Sequence, residues 1–161
     1  MPAPNPEITE KPKKGLYSGE TKDGEAEGVG KEIFANGNSY QGLYKNGNRH
    51  GLGLSVFNNG NSYFGEFKNG KRDGHLHVMF ANGHTYAGDF KDDRKHGYGV
   101  ATYPNGTKYS GQFKAGERHG FGTFTFSDGT VHNGIFENGH LKGDEQHCGN
   151  VRMLQSFFKV V

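Results

Sequence analysis

The chain has 161 residues, a formal net charge of +2 and one cysteine, Cys148. Its length suits a single ordinary domain, and a lone thiol excludes an internal disulfide and fits a reducing, cytoplasmic setting. Leu, Ile, Val and Phe form only about a fifth of the residues, close to the level of disordered chains. No apolar run approaches the ~20 residues needed to cross a bilayer, and neither a signal peptide nor a lipidation signal is expected.

Residues 1–14 carry four of the five prolines together with several charges, which predicts a disordered lead. From residue 15 onward the sequence becomes strictly periodic. Tyr17, Tyr40, Tyr63, Tyr86 and Tyr109 recur every 23 residues, and His132 takes the sixth place. Five columns at the same period hold 26 of the 28 glycines. Glycines placed so regularly set backbone geometry, and an unbroken period marks an array in which one supersecondary unit stacks on the next.

Each unit contains two extended segments. The first is Tyr-x-Gly-x-aromatic, as in Tyr63-Phe64-Gly65-Glu66-Phe67, where the outer rings fall on one face of a strand. The second runs from a His-Gly pair to an aromatic residue, as from Gly97 to Tyr103. Asn-Gly pairs separate the segments: Asn46-Gly47, Asn69-Gly70 and Asn138-Gly139 in one set, and Asn36-Gly37, Asn59-Gly60, Asn82-Gly83, Asn105-Gly106 and Asp128-Gly129 in the other. Asn-Gly between alternating segments predicts hairpins. The expected fold is all-β, an elongated single-sheet antiparallel meander. Two aromatic columns would replace a conventional core: Tyr44, Phe67, Phe90, Phe113 and Phe136, and Phe34, Phe57, Phe80, Tyr103 and Phe126.

Tyr-x-Gly-x-aromatic followed by His-Gly-x-Gly and Asn-Gly resembles the MORN (membrane occupation and recognition nexus) repeat, over residues 17–143. The resemblance implies an elongated, frequently dimeric β-meander that serves scaffolding, cytoskeletal, motor-protein or membrane-associated assemblies. Some positions depart from the pattern. Glu27 and Asp73 stand where other repeats have His50, His96 and His119, Leu76 replaces a glycine, and the sixth repeat is truncated.

The predicted organisation is therefore a lead over 1–14, repeats over 15–143 and a tail over 144–161. In the tail, Val151, Leu154, Phe158 and Val161 follow a helical spacing, and Phe157 and Val160 widen the apolar face. A short helix there either caps the open sheet edge or binds a partner or membrane.

Nine histidines invite a metal reading. The His50, His96 and His119 column belongs to the repeat, with copies about 10 Å apart, and His75 and His77 lack a completing ligand cluster. No metal or other cofactor is expected. Gly65 to Lys71 mimics the start of a phosphate loop, but Arg72 follows where Ser or Thr is needed. No nucleophile–base pair stands out, so no enzymatic activity is expected, and the near-neutral charge argues against nucleic acid.

The remaining signal is basic. Lys22, Lys45, Lys68, Lys91 and Lys114 form one column, and Arg49, Arg72, Lys95 and Arg118 form another. Both flank the same turns, which predicts nine cations along one sheet edge. Such an edge either blocks sheet-to-sheet aggregation or meets an anionic surface. The expected function is a non-catalytic scaffold for a protein partner, with a peripheral adaptor for anionic phospholipids as the alternative.

Overall fold

The computed structural model describes residues 15–142. The expected lead and the expected tail helix, with Val151, Leu154, Phe157, Phe158 and Val161, lie outside these described residues. Twelve strands follow one another: β1 (Leu16–Lys22), β2 (Glu25–Ile33), β3 (Ser39–Lys45), β4 (Asn48–Val56), β5 (Ser62–Lys68) and β6 (Lys71–Met79). The second half repeats the scheme with β7 (Thr85–Lys91), β8 (Arg94–Thr102), β9 (Lys108–Lys114), β10 (Glu117–Thr125), β11 (Val131–Glu137) and β12 (His140–Lys142). All belong to one antiparallel sheet whose spatial order is the chain order. At about 4.8 Å per strand the sheet extends roughly 50 Å across its strands. The expected single-sheet meander is the observed fold.

Two kinds of connection alternate. Between β3 and β4, Asn46 and Gly47 both adopt positive φ (51° and 78°), the two-residue turn whose twist matches a hairpin. Asn69-Gly70 and Asn138-Gly139 form the same turn, whereas the second set, at Asn36, Asn59, Asn82 and Asn105, lies in longer loops. Around Gly37 the loop spans three residues, closed by hydrogen bonds from the Phe34 N–H to the Asn38 carbonyl and from the Gly37 N–H to the Phe34 carbonyl, both 2.9 Å. Here only the glycine is left-handed (φ 89°), because the Asn36 side chain accepts the Asn38 N–H at 2.9 Å and holds the tip as an Asx turn. The Asn38 Oδ1 in turn accepts the N–H of Asn58 at 2.9 Å, and Asn61 does the same for Ala81. These bonds lock each loop to the next.

A single sheet has no second layer, so it must bury apolar area with its own side chains. It does so by lying the tyrosines flat. Opposed residues form a glycine row across the strands: Gly30 faces Gly42, Gly42 faces Gly53, Gly88 faces Gly99, and Gly111 faces Gly122. The rings of Tyr40, Tyr86 and Tyr109 occupy the space above that row and are at most 1% exposed. Their hydroxyls donate to the carbonyls of Leu43, Asp89 and Gln112 at 2.9–3.0 Å. Each ring then meets two ladder rings edge-on, as Tyr86 meets Phe90 at 5.4 Å and Phe113 at 5.2 Å.

Repeat three is the exception that explains the row. Leu76 pairs with Gly65 and is fully buried, filling the space that a tyrosine ring takes elsewhere. Tyr63 makes no matching hydroxyl bond and packs instead against Phe57 at 4.9 Å. At the far end, where His132 replaces tyrosine, Leu141 lies over Gly134. A ring or a leucine can occupy each slot, but not both.

Candidate functional site

The two faces of the sheet differ in kind. The ladder face is sealed: Tyr44, Phe67, Phe90, Phe113 and Phe136 are 3–6% exposed. On the opposite face Val29, Leu52, Phe64, Tyr98, Phe121 and Ile135 are each at least 50% exposed.

The nine cations separate between these faces. Lys22, Lys45, Lys68, Lys91 and Lys114 end their strands just before the two-residue turns and are exposed. The second column does not join them, which corrects the expectation of nine cations on one edge. A two-residue turn pairs Arg49 with Tyr44, Arg72 with Phe67, Lys95 with Phe90 and Arg118 with Phe113. Directly opposed residues share a face, so all four cations turn over the rings. The Arg72 guanidinium lies 4.3 Å from the Tyr63 ring centre, and Arg72 is 6% exposed.

The arginines also bridge repeats. Arg49, Arg72 and Arg118 donate to the turn carbonyls of Gly70 (2.7 Å), Asp93 (2.9 Å) and Gly139 (3.3 Å), one repeat further on. At Arg72 the next turn is Asp92-Asp93, and Asp93 holds φ 70° where glycine is usual. Its carboxylate accepts the Arg72 N–H at 2.9 Å and pairs with Nε at 3.3 Å. The strained aspartate thus supplies the counter-charge that this buried guanidinium requires.

Lys95 alone in the column reaches no carbonyl or carboxylate among the described residues. Its ammonium lies 4.9–5.7 Å from the ring centres of Phe80, Tyr86 and Phe113. Burial first, then Arg118 and Arg72, push its pKa down to about 8. Burial, countered by nearby arginines, raises Tyr40 and Tyr109 to about 12.

These shifts predict a stability maximum in alkali. Folded Lys95 loses its proton at lower pH than unfolded lysine, near 10.5, so stability rises between about pH 8 and 10 by up to roughly 3 kcal/mol. Unfolded tyrosines ionise near 10 and the buried ones near 12, so stability falls over that second interval. Urea midpoints measured across this range should peak near pH 10. Lys95→Met should remove the rising limb and keep the falling one.

The sequence reading missed two further cations. Lys71 directly opposes Lys68, and Arg94 opposes Lys91; all four are exposed on the open face. Their own columns are mixed in charge, which hid them from a search for uniform columns. His75 and His77 also lie on this face, with ring centres 5.5 Å apart and His75 beside Asp89 at 3.5 Å. Among the described residues no group of three His, Cys, Asp or Glu is placed to hold a metal ion, and no helix is long and apolar enough to cross a membrane.

No curated protein matches the chain. Among solved structures, the TCP domain of SAS-4 (dCPAP) of Drosophila melanogaster, in complex with a proline-rich motif of Ana2 (dSTIL), aligns with 18% identity and a TM-score of 0.45. The alignment covers 69% of this chain and 61% of that one. The MORN repeat profile matches residues 17–39, 40–62, 63–75, 86–108 and 109–131. Its third match stops just before Leu76, where the tyrosine has left the glycine row. With most of its length in these matches and every matched unit folded as a hairpin of one sheet, the chain belongs to the MORN repeat family.

Proposed function

We propose that this chain is a non-catalytic scaffold that binds protein partners along the open face of its sheet. The carrying observation is the contiguous apolar surface there. Val29 faces Leu43 and Leu54 faces Phe64 across paired strands, with Leu52 alongside, and all five are 38–57% exposed. Apolar side chains gathered this way mark interaction surfaces. Cytoskeletal, motor or membrane-associated proteins are the partner classes that the family resemblance suggests. A variant carrying Leu52→Lys, Leu54→Lys and Phe64→Lys should keep its far-UV spectrum and lose the proteins that the native chain retains from native extract. An unchanged set of retained proteins would sink this reading.

A second reading, contact with anionic phospholipids, draws on Lys68, Lys71, Lys91 and Arg94. Like charges directly opposed across strands cost stability, so an anionic surface would relieve them, at about 1 kcal/mol per cation. Changing all four to Gln should abolish salt-sensitive co-sedimentation with phosphatidylserine vesicles. Absence of such binding by the native chain would eliminate this reading.

A further inference from the structure

The repeat is so strict that its departures locate what the repeats do not share. Several fall together in the middle of the sealed face. Lys95 replaces the column arginine, and its shorter reach leaves it without the turn-carbonyl contact made by Arg49, Arg72 and Arg118. His84 stands in the column where Asn38 and Asn61 cap the next loop and where Thr107 and Thr130 follow. The loop residue at that place is Pro104, which has no N–H to cap. His84 instead sets its ring edge-on to Tyr103 at 5.0 Å.

These changes surround a pocket of about 80 Å³ lined by Phe80, His84, Lys95, Tyr103, Phe113 and Arg118 among others. Its lining combines two cations, Lys95 and Arg118, with aromatic rings. Among the described residues no carboxylate lines it, and Asp93 is already paired with Arg72. The half-buried Lys95 ammonium meets no carboxylate among the described residues, and a desolvated charge so placed is costly, so the pocket is complementary to an anion that arrives from outside. The volume admits a carboxylate on a short methylene stem, and the ring walls suit that stem.

We propose that the Lys95 pocket seats one glutamate side chain of a protein partner. The proposal rests on the scaffold reading but uses the other face of the sheet. Lys95 and Arg118 would hold the carboxylate, while Phe80 and Phe113 cover the methylenes.

The test uses the full chain and two capped pentapeptides, acetyl-Gly-Gly-Glu-Gly-Gly-amide and its Gln counterpart, with the Lys95 and His84 side-chain NMR signals as readout. The Glu peptide should shift both signals saturably, with the Gln peptide at least about tenfold weaker, the value of a charged hydrogen bond. Lys95→Met should abolish the response. Lys95→Arg should abolish it too, although it keeps the charge, because a guanidinium can reach the Gly116 carbonyl and fill the pocket. Equal responses to the two peptides, no response, or undiminished binding by Lys95→Arg would each overturn the proposal. Inorganic phosphate binding as tightly as the Glu peptide would also overturn it, in favour of a free-anion site. The peptides report on the sealed face alone, so failure here leaves the open-face reading standing, and loss of that reading leaves the pocket intact.

Discussion

Phe90→Ala should lower the unfolding free energy by about 3–5 kcal/mol, whereas Phe64→Ala should cost less than about 1 kcal/mol. The two phenylalanines occupy opposite faces of the sheet. Phe90 is 6% exposed and touches the Tyr86 ring at 5.4 Å. Truncating it removes transfer energy, opens a cavity and breaks an edge-on pair. Phe64 is 53% exposed, so its removal returns little apolar area to water. Urea denaturation of both variants checks the difference. Comparable losses would mean that the sheet is covered on both faces.

Gly99→Val is the second large effect, with an expected loss of at least about 3 kcal/mol. An added Cβ at Gly99 would lie 2.5 Å from both Cε2 and Cζ of Tyr86, and Gly99 is not among the positive-φ glycines. The penalty is therefore steric. Tyr86 must leave its slot and give up its 3.0 Å bond to the Asp89 carbonyl. The molecule already contains the outcome at Leu76, whose side chain occupies the row while Tyr63 packs elsewhere. Adding Tyr86→Ala to Gly99→Val should consequently cost less than the sum of the two single changes, a coupling readable in a double-mutant cycle. Strict additivity would show that ring and row do not compete.

Much of this fold was legible because its grammar is local. Asn46-Gly47 demands a two-residue turn, and such a turn pairs Lys45 with Asn48 and Tyr44 with Arg49. The same rule, carried one residue further into the strands, places Arg49 among the rings. Reading both basic columns as one edge overlooked that alternation. The flat tyrosines were less accessible to sequence, because each lies over a glycine 13 residues further along, Tyr40 over Gly53 and Tyr86 over Gly99. That relation exists only once the register is known. The candidate pocket was hidden for a different reason. Uniform columns reveal what the repeats share, whereas His84, Lys95 and Pro104 matter because they differ.

The central claim is that this sheet seals one face with its own side chains and leaves the other open. The tyrosines test it directly, since all eight lie within the described residues. Tyr98 is 57% exposed on the open face, its hydroxyl bonded to that of Ser110, while Tyr40, Tyr86 and Tyr109 are buried over the glycine row. Nitration of the folded chain, mapped by mass spectrometry, should modify Tyr98 first and half-buried Tyr17 more slowly. Tyr40, Tyr86 and Tyr109 should react only after denaturation. Modification of those three at the rate of Tyr98 in the native protein would contradict the one-sided sheet.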